Sequence, residues 1–314
     1  MIDYKNRIEN MLLYLSVGDA LGKICSKYNK KQIYEIYGRE VTGLIRPIRP
    51  KSLRNWERGD VTDDTILTLL VLESLIENNG FNRRDIAKRL IDVDPKGGKQ
   101  IEFLKKSKNL DYVSTTGNTN GAAIRVSPLS IIYPDLGELT DNVIALSNLT
   151  HGSDEAIAAA LAVSYALHYY VEDLHSPISM FLLGSLSQYF PHSRHTQFIE
   201  KLVEAFTISE QLSAPNLPDR LEHLIGYEKY AWSSVPTGII LGSKSIDPYE
   251  TLIKIIHRNA SGGDLDSVAS IAGSLLGLRT LDERVIGMGR EIERHNGYSF
   301  GICAERLTNL RFRK

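Results

Sequence analysis

Cysteine is scarce in this chain: Cys25 and Cys303 are the only two in 314 residues, far apart and in no metal-ligand spacing. That excludes a disulfide framework or a zinc ribbon and suits a reducing compartment. Long apolar runs are missing too. The richest, Ala156 to Leu167, is much too short to cross a bilayer. The opening Met1-Ile2-Asp3-Tyr4 carries charge where the apolar core of a signal peptide would lie. The expectation is a soluble, cytoplasmic protein with no membrane partner. Nor is there an excess of charge of one sign. Lys plus Arg number 37 and Asp plus Glu 38, a formal net charge of −1, which gives no general pull toward nucleic acid. Basic residues cluster at Arg46 to Arg58 and Arg306 to Lys314, and both read as solvated segments. Nucleophile and nucleotide motifs are lacking: there is no Gly-x-Ser-x-Gly, no Walker A loop and no His-Glu-x-x-His.

What is present is helical periodicity. From Ile8 to Leu21 the apolar residues recur mostly at three- and four-residue steps, and Thr65 to Ile76 shows a broader apolar face. Ser153 is a natural N-cap for an alanine-rich helix through Leu167. Further helices are expected over Ile178 to Leu186, Gln197 to Phe206, Tyr249 to Ile256 and Ser267 to Leu278. Alternating strand patterns are absent, although Val41 to Ile45 has the composition for a small ribbon. Pro and Gly punctuate Pro47 to Pro50, Pro95 to Gly98 and Pro215 to Pro218 without forming an interdomain linker. No fixed-period repeat stands out. The fold class is all-α, a single multi-helix domain over residues 1–314.

Two acidic segments are the centre of the chemistry. Thr62-Asp63-Asp64 precedes one apolar helix, and Asp264-Leu265-Asp266-Ser267 opens another behind Ser261-Gly262-Gly263. Carboxylate and hydroxyl oxygens are what a hard cation such as Mg²⁺ prefers. If the segments meet, they supply four carboxylates and two hydroxyls, enough for two ions about 3.5–4 Å apart. Taken singly, each reads first as a helix cap. The loop Gly117-Asn118-Thr119-Asn120-Gly121 lets backbone N–H groups approach a phosphate closely, or else forms a tight turn. Arg125 buttresses that loop or pairs with a carboxylate. His151, in Asn148-Leu149-Thr150-His151, is a capping residue or a cleft residue. Asp19, inside an apolar face, needs buried partners, either supporting a metal site or making a structural hydrogen bond.

Gly18-Asp19-Ala20-Leu21-Gly22, Val61-Thr62-Asp63-Asp64-Thr65, Asn120-Gly121-Ala122-Ala123-Ile124-Arg125, Thr150-His151 and Gly263-Asp264-Leu265-Asp266-Ser267 occur in that order. This series resembles the ADP-ribosylglycohydrolase family, which includes the dinitrogenase reductase-activating glycohydrolases, from about Met11 to Gly277. The resemblance implies a compact all-α domain with two Mg²⁺ ions, or Mn²⁺, in a cleft. By matching positions it implies Thr62, Asp63, Asp64, Asp264, Asp266 and Ser267 as metal ligands. It places Gly117 to Gly121 and His151 beside the substrate, and Tyr230 or Trp232 near a base. Asp64 or Asp266 would also orient or deprotonate the attacking water. The implied reaction is hydrolysis of a ribosyl C1″ bond in an ADP-ribosylated protein or a small riboside. Alternatives left open are hydrolysis of another riboside, such as a nucleoside, and a non-catalytic binding protein of the same fold. The oligomeric state is not legible. One departure stands out: Ser26 occupies the place where many members carry a glutamate facing the substrate, and Glu35 and Glu40 are the nearest candidates to replace it.

Overall fold

Glycine spacing brings two helices from distant parts of the sequence into backbone contact. Gly18 and Gly22 lie one turn apart on the first helix, as do Gly273 and Gly277 on a late one. A Cβ on Gly18 would sit 2.2 Å from the Ala269 carbonyl oxygen, and one on Gly273 would sit 2.3 Å from that of Tyr14. No larger residue fits there, so the two helices interlock along their length.

The computed structural model describes residues 3–26, 28–48, 55–93, 102–190, 196–211, 216–258 and 262–313. Pro50, Pro95 to Gly98, Pro215, Ser261, Lys314 and the stretch from Arg49 to Arg54 lie outside them. In chain order the helices are α1 (Tyr4–Cys25), α2 (Lys30–Tyr37), α3 (Asp63–Glu77), α4 (Arg83–Asp92), α5 (Glu102–Ser107), α6 (Gly121–Arg125), α7 (Leu129–Ile132), α8 (Leu136–Ser147) and α9 (Asp154–Val171). They continue with α10 (Ile178–Tyr189), α11 (Gln197–Gln211), α12 (Leu217–Leu224), α13 (Ala231–Lys244), α14 (Pro248–Ile256), α15 (Leu265–Arg279), α16 (Glu283–Asn296) and α17 (Phe300–Phe312). The fold is all-α, as the periodicity predicts. No strand forms among the described residues; one isolated antiparallel bridge joins Thr119 to Tyr230.

The centre is α1 packed on α15, flanked by α13 and α9. These helices are buried nearly all round, so their apolar faces are broad rather than narrow stripes. Alanines on α9 (Ala156, Ala158, Ala159, Ala160, Ala162, Ala166) are buried and let its neighbours approach closely. Ser153 caps α9, its Oγ accepting from Ala156 N at 3.3 Å. Val41 to Ile45 makes no ribbon. Its carbonyls go to side chains instead: His257 Nε2 lies 2.8 Å from Val41 O, and Tyr249 Oη donates to Thr42 O at 2.9 Å. Among the described residues no helix is long and apolar enough to cross a membrane.

Candidate metal centre and active site

The packing of α1 on α15 carries charge into the core. Asp19, Gly22, Lys23 and Ser26 lie on one face of α1, because steps of three and four residues bring side chains into line. A Cβ on Gly22 would sit 2.4 Å from Asp266 Cα, so Gly22 lets the first turn of α15 reach that face. Lys23 Nζ is 2.8 Å from Asp266 Oδ2, and Ser26 Oγ donates to Asp266 Oδ1 at 3.1 Å.

The first turn of α3 enters from another side and is fixed by Asp19. Asp19 Oδ2 accepts from Thr62 N (2.9 Å), Thr65 N (3.1 Å) and Thr65 Oγ1 (2.6 Å). Thr62 caps α3, its Oγ1 accepting from Asp64 N at 3.1 Å, so the capping reading is correct for this hydroxyl. It is not correct for Asp264. That residue holds the N-cap position of α15 but makes no side-chain cap bond. Its Oδ2 instead accepts from Asn120 Nδ2 at 2.7 Å. Gly263 makes this placement possible: its φ of +101° suits glycine, and any Cβ would sit 2.9 Å from Tyr227 O. Asp264 N donates to that same carbonyl at 2.6 Å.

The two acidic segments therefore meet. Ser267 Oγ donates to Asp64 Oδ2 at 3.1 Å, bridging α15 to α3. Carboxylate oxygens of Asp19, Asp64 and Asp266, all buried, lie within 4.8 Å of one another. Asp19 Oδ1 is buried without a hydrogen-bond partner. An orphaned carboxylate oxygen among converging carboxylates is unfavourable unless a cation or a proton neutralises it. The donor set fits a hard divalent ion such as Mg²⁺. The helix N-termini of α3 and α15 also point here, and their dipoles favour the carboxylates of Asp63, Asp64 and Asp266.

Electrostatics in the metal-free chain reflect the crowding. Burial raises Asp19 to about 7, and the nearby Asp266 charge adds to it. Burial and the same neighbour raise Asp63 to about 6 and Asp264 to about 7. Asp64 is raised well above the ordinary carboxylate range by burial and by the charge of Asp63. Asp266 behaves differently. Burial pushes it up, but the charge and hydrogen bond of Lys23 outweigh this and hold it below its ordinary value.

The glycine-containing loop lies alongside. Asn120 Nδ2 also donates to Ser234 Oγ at 2.9 Å, Asn120 N to Lys229 O at 3.0 Å, and Ala231 N to Asn118 O at 3.0 Å. Ser153 Oγ donates to Gly117 O at 2.7 Å, and Gly121 opens α6. His151 sits behind the loop, with Nε2 2.8 Å from Thr119 Oγ1 and Nδ1 2.7 Å from Thr150 Oγ1. Arg125 is fully buried and donates to Thr150 Oγ1 and, at 3.3 Å, to Gly121 O. The proton assignment that serves every group runs from Arg125 to Thr150, from Thr150 to His151 Nδ1, and from His151 Nε2 to Thr119. Burial, with the Arg125 charge, drives His151 down to about 3, so the ring is neutral. Arg125 thus buttresses the loop, and it also feels the charge of Asp63. Tyr230 and Trp232 stack on each other, centroids 4.7 Å apart and planes 5° from parallel, and Tyr230 is 39% exposed beside the loop.

Asp19, expected to need buried partners, finds them at Thr62 and Thr65, and in addition brings a carboxylate oxygen within 4.8 Å of those of Asp64 and Asp266. Lys23 was overlooked, although its place one turn after Asp19 puts it on the same face. Glu35 and Glu40 do not replace the absent glutamate. Glu40 pairs with Lys30 at 3.0 Å and Glu35 lies 4.0 Å from Lys31, all four side chains exposed.

Comparison with known proteins gives the family and the fold. The model of the ADP-ribosylglycohydrolase family matches residues 1–282. An uncharacterized protein of Escherichia coli, YegU, is 24% identical over 330 residues, covering 97% of each chain. An uncharacterized protein of Archaeoglobus fulgidus is 26% identical and covers 88% of each. The human ADP-ribosylhydrolase ARH3 is 24% identical over 87% of this chain and 85% of its own. The solved structure of an ADP-ribosylglycohydrolase-related protein complex shares the fold, with a TM-score of 0.69 at 20% identity over 99% of this chain and 100% of that one. With the family model matched over most of its length, the chain belongs to the ADP-ribosylglycohydrolase family.

Proposed function

We propose that this chain is a Mg²⁺-dependent glycohydrolase that cleaves the ribosyl C1″ bond of an ADP-ribosylated side chain or a small ADP-ribosyl compound. The observation that carries this reading is the convergence of Asp19, Asp64 and Asp266 from three separate helices onto one buried point. Asp63, Asp64, Asp264 and Asp266, with the hydroxyls of Thr62 and Ser267, would hold two Mg²⁺ ions, or Mn²⁺, and Asp19 joins that set. When bound, such ions supply charge that fixes sugar hydroxyls and lowers the pKa of a nearby water. The protein's own part is to orient. Asp64 or Asp266 aligns the attacking water and takes its proton, opposite a bond that breaks through an oxocarbenium-like transition state. The loop from Gly117 to Gly121, stiffened by His151 and Arg125, receives the ribose-diphosphate. The exposed face of Tyr230 is placed to stack on a base. Packing of α16 and α17 on α1 supports reading residues 1–314 as one domain.

One observation favours a second reading. Ser26, where the family resemblance implies a glutamate, is 8% exposed and within hydrogen-bond distance of Asp266 and Gly22 O. A serine there supplies no acid–base group at neutral pH, which suits a riboside with a better leaving group, such as a nucleoside. Assays of ADP-ribosyl-arginine, ADP-ribosyl-serine and free nucleosides, each with Mg²⁺ and with EDTA, separate the two. Release of ADP-ribose that EDTA abolishes is the expected result. Cleavage of nucleosides alone would establish the second reading, and no cleavage of any riboside would end both.

A further inference from the structure

Lys23 is a cation placed inside a carboxylate cluster that itself fits divalent ions. Its ammonium takes one oxygen of Asp266 at 2.8 Å, and Ser26 Oγ takes the other at 3.1 Å. Ser26 is held in that position by its own bond to Gly22 O at 2.7 Å. Lys23 thus serves one Asp266 oxygen outright, and the other lies within reach of the Ser26 hydroxyl, whose single proton is shared with Gly22 O. The opposite end of the cluster differs. Asp19 Oδ1 is buried without a partner, and Asp64 Oδ2 accepts a neutral hydroxyl from Ser267. The cluster is lopsided: a protein-supplied cation at Asp266, an unpartnered oxygen at Asp19 and only a neutral hydroxyl at Asp64 Oδ2.

From this asymmetry, and resting on the divalent-cation reading above, we propose that Lys23 acts as a tethered monovalent cation that competes for Asp266, so that the two ion positions fill unequally. The first ion binds at the Asp19 and Asp64 side. The second must displace the ammonium, since two cations cannot share the same carboxylate lone pairs at contact distance without repulsion. The side chain can yield. It is 28% exposed, against 5% for its partner, and its flexible four-carbon stem lets the ammonium swing toward water. Occupancy of the second position, and with it full assembly of the site, then tracks free metal concentration.

The test is a Mn²⁺ titration of the full chain by calorimetry, with low-temperature EPR at one and two equivalents. In the parent we expect one tight site and a second at least about tenfold weaker, a gap of about 1.4 kcal/mol. Lys23→Gln shortens the side chain by one bond and removes the charge; it should tighten the second site about tenfold and give an exchange-coupled Mn²⁺ pair at two equivalents. Lys23→Arg should keep the parent's inequality. Lys23→Met serves as a second neutral variant, and circular dichroism checks that each variant is folded. If parent and neutral variants bind two ions with the same affinity ratio, the competition is overturned while the metal reading stands. If folded parent and Lys23→Gln bind no Mn²⁺ at all, the metal reading falls and the competition with it.

Discussion

Asn120 Nδ2 donates to Asp264 Oδ2 at 2.7 Å, a single bond that ties the glycine-containing loop to the start of α15. The same amide group reaches Ser234 on α13, so three segments meet at one side chain. Replacement by alanine takes the amide donor from the partly buried Asp264 carboxylate and frees the loop. Asn120→Ala should lose about 1–3 kcal/mol of stability and most of the proposed glycohydrolase activity. Thermal melts and turnover assays check this; a variant as active as the parent would remove the loop from the site.

Gly22 and Asp266 cannot both stay where they are if Gly22 gains a methyl group, because its Cβ would lie 2.4 Å from Asp266 Cα and N. Backbone has no rotamer to yield. Gly22→Ala should therefore push α15 away from α1 and cost about 1–3 kcal/mol or more, with metal affinity reduced alongside the melting temperature. Gly287, whose Cβ would meet nothing within 4 Å, is the control: Gly287→Ala should be neutral or slightly stabilising.

Asp19→Asn tests whether the orphaned oxygen faces a cation. Oδ2 accepts three hydrogen bonds, so the amide must turn its oxygen toward Thr62 and Thr65 and its NH₂ toward the cluster. The fold should survive, and divalent-ion affinity should fall about tenfold or more, a loss of about 1.4 kcal/mol per factor of ten. Calorimetry measures it directly. Unchanged affinity would return Asp19 to a purely structural role.

How much of this was readable beforehand follows from local signals. The helices around the site were legible because α1, α3, α9 and α15 carry unbroken apolar periodicity and hydroxyl or acidic starts. Helix α13 was not. Pro236 and the glycines Gly238 and Gly242 look like breakers, yet Pro236 lies just past the first turn and both glycines lie where a Cβ would come within 2.9 Å of α15 side chains. The acidic segments were legible as chemistry, but their meeting was not, because nothing local fixes a distance across two hundred residues. Lys23 was missed since lysine on a helix is normally a solvated side chain; only the contact with α15 turns it inward.

The crowding of carboxylates fixes the sign of the pH response. Burial raises Asp63 to about 6 and Asp19 and Asp264 to about 7, while unfolded aspartates titrate near ~4. Between those limits the native metal-free chain binds more protons than the unfolded one, so stability is lost as pH rises through about 6 to 7. In EDTA the melting temperature should be higher at pH 5 than at pH 8. Saturating Mg²⁺ should flatten or reverse that slope, because ligands bind ions in their deprotonated form. A melting temperature in EDTA that climbs from pH 5 to 8 would contradict the assignment.

His151, driven down to about 3 and held between Thr119 and Thr150, stays neutral across the working range. His151→Gln should weaken substrate binding through the loop while leaving the shape of the pH–rate profile intact. An ionisation between pH 5 and 8 that disappears in this variant would instead make the ring an acid–base group.

Lys23 and Asp266 are 243 residues apart in the chain and in contact in the fold. During synthesis α1 emerges from the ribosome with its interlocking groove bare and with Asp19 and Lys23 facing no partner from α15. Everything between them must be made before α15 arrives to fill that groove. The centre therefore cannot be completed until α15 has been made, and a chain released before α15 would have neither a closed core nor an assembled carboxylate cluster.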